Sequence, residues 1–91
     1  AFNQIFQNIS IKNLSNLNKL TLTNNEIKKI ERNYFKNLST LKILYLSSNP
    51  IDTIELENLP SLNELQLVGC NLKIIDIFFF KNLINLEKLV I

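Results

Sequence analysis

Apolar and polar positions recur along this chain in one shape. Leu17, Leu20 and Leu22 are followed by an amide at Asn25; Leu41, Leu44 and Leu46 are followed by Asn49; Leu62, Leu65 and Leu67 are followed by Cys70. A further row begins at Leu86, Leu89 and Ile91. Within each row the last two apolar residues alternate with a polar or exposed-type residue, the period-2 sign of a short strand with one buried face. After the amide come Ile27, Ile30, Phe35 and Leu38, spaced three to five apart. That spacing is too irregular for a long helix and fits a turn, or a helical turn, that re-enters the core at intervals.

The polar columns repeat as well. The blocks Lys12-Asn13-Leu14-Ser15-Asn16-Leu17, Lys36-Asn37-Leu38-Ser39-Thr40-Leu41, Glu57-Asn58-Leu59-Pro60-Ser61-Leu62 and Lys81-Asn82-Leu83-Ile84-Asn85-Leu86 are separated by 24, 21 and 24 residues. Such a period marks an internal repeat. The chain divides into a partial unit over residues 1–16, units at 17–40, 41–61 and 62–85, and a partial unit at 86–91. No unit can bury its own apolar row. Strands stacked about 4.8 Å apart merge the rows into one core. Wider loops on the outer side make such a stack curve, with the strands on its concave side.

The rows resemble the leucine-rich repeat family, whose pattern is LxxLxLxx(N/C)xLxxLxxxxFxxL. The resemblance runs from Leu17 to Ile91, with Phe6, Ile11 and Leu14 fitting the tail of a preceding unit. The length of 24 residues with Phe35 and Phe80 is similar to the subclass found largely in extracellular proteins and receptor ectodomains. The second unit departs from it, being three residues shorter with Leu56 in the Phe column. The resemblance implies a curved α/β, β-rich solenoid, with short parallel strands on the concave face and loops or helical turns on the convex face. It also implies protein–protein recognition, through a protein ligand or co-receptor. We expect a segment of a longer array, with further repeats at both ends and apolar core exposed around Phe2, Ile5 and Phe6 and around Leu83, Leu86 and Leu89.

Asn25 and Asn49 fall where the backbone leaves the strand. An amide there can both donate to and accept from turn backbone, so we expect a structural ladder of Asn25, Asn49 and Cys70. The function-bearing positions are those flanking the buried Leu pairs. Stacking aligns Lys19, Ile43, Glu64 and Lys88 in one column, Thr21, Tyr45, Gln66 and Val90 in the next, then Thr23, Ser47 and Val68, then Asn24, Ser48 and Gly69. Candidate partner-binding residues are thus Lys19, Thr21, Ile43, Tyr45, Ser47, Glu64, Gln66, Val68 and Lys88, with Tyr45 at the centre; tyrosine is over-represented at interface hot spots. The competing reading is a spacer whose strand residues are ordinary surface and whose ligand site lies on other repeats.

Composition narrows the chemistry. Leu and Ile make up 30 of 91 residues, which suits a repeated template. There is no His, one Gly and one Cys, so a His-based triad, a P-loop, a dinucleotide fingerprint and an internal disulfide are absent. The carboxylates Glu55 and Glu57 read as a solvated face. We read the chain as non-enzymatic, without metal or cofactor. A net charge of +2, with Lys19 and Lys88 sharing a column with Glu64, does not describe a nucleic-acid surface. No apolar run is long enough for membrane insertion. The opening AFNQIFQNIS lacks a basic n-region and a small-residue cleavage site. The sequons at Asn8, Asn13 and Asn37, in a chain with 15 Asn, are candidate N-glycosylation sites. They suit an extracellular or cell-surface ectodomain, with a cytoplasmic protein as the alternative.

Overall fold

The computed structural model describes residues 16–31, 34–35, 38–56, 59–72 and 83–91. Four three-residue strands come from the LxxLxL rows: β1 (Lys19–Thr21), β3 (Ile43–Tyr45), β5 (Glu64–Gln66) and β6 (Lys88–Val90). They form one parallel sheet in the order β1-β3-β5-β6. Leu20, Leu44, Leu65 and Leu89 pair in register across it. Parallel pairing follows because each strand begins one repeat after the last, with the intervening chain returning on the far side.

The junctions between strands repeat in detail. The carbonyl of Asn18 accepts the amides of Lys42 and Ile43, that of Lys42 accepts Asn63 and Glu64, and that of Asn63 accepts Glu87 and Lys88. Before each of β3, β5 and β6 stands the same tight turn, in which Leu41 N–H donates to Leu38 O, Leu62 to Leu59 and Leu86 to Leu83. Pro60 takes the second position of such a turn, where its fixed φ fits and its missing N–H is not needed. Both Leu residues of a turn face inward, except that Leu86 is half-buried.

On the other side of the core the chain forms a second parallel pair, β2 (Lys29–Ile30) with β4 (Thr53–Ile54). Loops or helical turns were expected on this side; among the described residues no helical turn is seen. Equal spacing brings Ile30 and Ile54 opposite each other in adjacent units, and their backbones hydrogen-bond between units rather than curling within one. Two flanking bonds, Asp52 N–H to Lys28 O and Glu55 N–H to Ile30 O, extend the pairing.

Between the two sheets lies one apolar cluster of Leu22, Ile27, Ile30, Phe35, Leu38, Leu41, Leu44, Leu46, Ile51, Leu56, Leu59, Leu62, Leu65, Leu67 and Leu83. Leu56 stands in the Phe35 column and is equally inward. Tyr34 packs edge-on against Phe35, with ring centroids 4.9 Å apart. Leu83 was expected to lie in exposed core; it is 4% exposed, because the turn to Leu86 folds it back over the cluster. Leu86 and Leu89 are half-buried, and Ile84 and Ile91 are exposed. Phe2, Ile5, Phe6 and Phe80 lie outside the described residues, as do Glu57 and the sequon residues Asn8, Asn13 and Asn37.

Candidate functional site, the exposed face of the four-stranded sheet

Three residues at the end of the strands set how this face is built. Asn24, Ser48 and Gly69 have φ of 66°, 60° and 74°. A left-handed residue turns the chain so that the next side chain, at Asn25, Asn49 or Cys70, reaches under the sheet. The column Asn24, Ser48, Gly69 is therefore a backbone device, although periodicity alone groups it with the presented residues. A Cβ on Gly69 would meet Ser48 Cα at 3.6 Å, an ordinary contact. Backbone conformation rather than space thus decides what is tolerated there. Gly69→Val should cost about 1–2 kcal/mol, the usual penalty for an L-residue in this region, whereas Gly69→Asn should cost clearly less. Urea titration of both variants checks it, and equal losses would show that crowding, not φ, is limiting.

Beneath the turns lies the Asn/Cys column. The Asn25 amide donates to Leu22 O at 2.9 Å and to Thr23 O at 3.2 Å. Asn49 is 1% exposed and donates to Leu46 O at 2.8 Å and to Leu22 O in the previous unit at 2.9 Å. Its Oδ1 accepts the amides of Asn25 at 3.0 Å and Ile27 at 3.3 Å. The thiol of Cys70 donates to Leu46 O at 3.4 Å. Each position thus closes its own turn or that of the unit before it. Burial pushes the Cys70 thiol up, and a hydrogen bond from the Asn49 backbone only partly opposes this. The thiol packs against the apolar cluster beneath the turn.

The outward strand residues join into a lateral chain across all four strands. The Lys19 ammonium lies 4.9 Å from the centroid of the Tyr45 ring. The Tyr45 hydroxyl donates to Glu64 Oε2 at 3.1 Å, the Gln66 amide donates to the same oxygen at 2.9 Å, and Lys88 Nζ stands 3.9 Å from it. The hydrogen bond to Glu64 holds the Tyr45 phenol above its ordinary range, with desolvation and the Glu64 charge acting the same way. Register alone does not bring Tyr45 and Glu64 together, since Tyr45 pairs with Gln66 and Glu64 with Ile43. Their contact is diagonal, and it is the feature the column alignment missed. Tyrosine opposite a carboxylate one strand on, two positions back, is the signal that could have pointed to it.

The remaining candidates are placed around this chain. Thr21 is exposed on β1, Ile43 is half-buried on β3, and Val68 is 46% exposed just beyond β5. The Ser47 hydroxyl accepts the Val68 amide at 3.0 Å, so it braces the next unit as well as lining the face. Among the described residues no group of His, Cys, Asp and Glu is arranged to hold a metal ion, and no helix is long and apolar enough to cross a membrane.

Parallel strands set in register at a near-constant period, a shared inward Leu column and an amide column that ties each turn to its neighbour define a β-rich repeat protein. The chain belongs to the leucine-rich repeat family, whose model for the leucine rich repeat matches residues 15–72. No curated protein and no solved structure matches the chain. Domains of this family generally mediate protein–protein interaction and are typically non-enzymatic.

Proposed function

We propose that the exposed face of the four-stranded sheet is a protein-recognition surface on a curved solenoid, within a longer array of the 24-residue type. The observation that carries this reading is the lateral chain Lys19–Tyr45–Glu64–Lys88, joined by Gln66. Side chains already held in one geometry lose less freedom on binding, which favours a surface preset for a partner. Tyr45 lies at the middle of it and offers apolar area with a polar tip. Its replacement tests the proposal. Tyr45→Ala should weaken capture of the partner protein about tenfold, as for a central aromatic anchor, with the thermal midpoint close to that of the parent. Unchanged capture by both Tyr45→Ala and Gln66→Arg would sink it.

The spacer reading has its own support, in the half-buried Leu86 and Leu89 and the exposed Ile91 on and beside β6. An LxxLxL row from a further repeat would cover them. Replacing the whole set Lys19, Thr21, Tyr45, Glu64 and Gln66 while retaining the activity of the intact protein would favour the spacer. For compartment, the sequons at Asn8, Asn13 and Asn37 and the 24-residue spacing support an extracellular or cell-surface ectodomain, of a receptor or innate-immune kind. Loss of mass on treatment with peptide N-glycosidase is the measurement that bears on it, and an unglycosylated, cytosolic native protein would overturn it.

A further inference from the structure

We infer that the sheet face selects an extended peptide segment carrying acidic side chains beside apolar ones, and that Lys19 is the residue that reads the acid. This rests on the sheet face being the recognition surface. Charges along the lateral chain do not balance. Glu64 is answered by Lys88 at 3.9 Å and by two hydrogen-bond donors. Lys19, at the other end, has no carboxylate partner among the described residues. Its ammonium is instead held over the Tyr45 ring, which is itself tied to Glu64. Among the described residues the arrangement therefore ends in one cation over an aromatic ring with no carboxylate to answer it.

Beside that cation the face is apolar in part. Ile43, the register partner of Lys19 on β3, is half-buried, as is Tyr45; farther across the sheet Val68, just beyond β5, is 46% exposed and Val90 on β6 is half-buried. A carboxylate seated on Lys19 would set the neighbouring side chains of an extended peptide, which alternate, over Tyr45 and Ile43 or out to solvent. Strands about 4.8 Å apart are crossed by a peptide of about six residues at roughly 3.3 Å each. A basic segment would meet Lys19 and Lys88 with no free carboxylate to compensate.

The test uses two extended peptides of alternating charged and Val residues, one with Glu and one with Lys, each about six residues long. Their binding to the chain is followed by fluorescence anisotropy. The acidic peptide should bind roughly three- to fivefold tighter than the basic one, the range of an exposed ion pair. That advantage should vanish in Lys19→Gln, invert in Lys19→Glu, and shrink as ionic strength rises. Thr21→Trp, which places a bulky ring beside Lys19 on β1, should abolish binding of both peptides. Equal binding of the two peptides, lost in Thr21→Trp, would overturn the acidic preference and leave the recognition face standing. Acidic binding that survives Thr21→Trp would remove the peptide from this face and count against both. No detectable binding of the acidic peptide also overturns the inference.

Discussion

Replacing Asn49 with Ala should lower the unfolding free energy by about 3–5 kcal/mol. Asn49 is the buried polar residue of the core among the described residues, 1% exposed. Truncation takes away the Oδ1 that accepts Asn25 N–H and Ile27 N–H. A buried N–H left without a partner costs about 1–3 kcal/mol; the Ile27 amide is buried and the Asn25 amide part-buried. The carbonyls it serves suffer less. Leu22 O still receives the Asn25 amide and Leu46 O still receives the Cys70 thiol. Asn25→Ala provides the comparison. Asn25 is half-buried and donates to two carbonyls, one of them already served by Asn49, so its loss should cost about 1 kcal/mol. Since a small domain is stable by only about 5–15 kcal/mol, Asn49→Ala should bring the chain close to unfolding. Urea midpoints of the two variants check the asymmetry. Equal small losses would mean that water enters the turn and that Asn49 does not brace it.

Leu44→Ala should cost about 2–5 kcal/mol, the range for truncating a fully buried Leu. Leu44 is wholly buried between Leu20 and Leu65 in the sheet register. Packed neighbours on both sides limit how far the site can collapse, which puts the cost toward the upper part of that range. Leu20 is half-buried, and Leu20→Ala should cost clearly less. Lys42→Ala, at an exposed position two residues before Leu44, should stay within about 0.5 kcal/mol. If Leu44→Ala and Lys42→Ala proved equal, the inward direction of the Leu20–Leu44–Leu65–Leu89 column would be wrong.

Both effects sit on features legible in the repeat. The spacing of Leu17, Leu41, Leu62 and Leu86 is enough to predict that β1, β3, β5 and β6 pair in parallel, and that Ile43 lies beside Lys19 and Glu64. A row that recurs at a near-constant period can bury itself only by stacking on its copies, so register follows from alignment. The second sheet was not legible. Lys29–Ile30 and Thr53–Ile54 lack the alternation that marks a strand, and two residues have no period. Their extended state comes from meeting the same segment of the next unit. Likewise Asn24 and Ser48 look like presented polar residues until their φ values assign them to the turn.

What the sequence determined alone is therefore the repeat, the inward Leu columns, the amide column and the order of strands, because these depend on periodicity and burial. Tertiary structure decided what depends on distances between units. It made Asn49 the bridge for two amides of the preceding unit, folded Leu83 over the core, set Lys19 over the Tyr45 ring, and drew Tyr45, Gln66 and Lys88 toward Glu64. Those contacts run across and diagonally between strands. Their geometry is set by the separation and twist of neighbouring units, which a single repeat read along the chain does not contain.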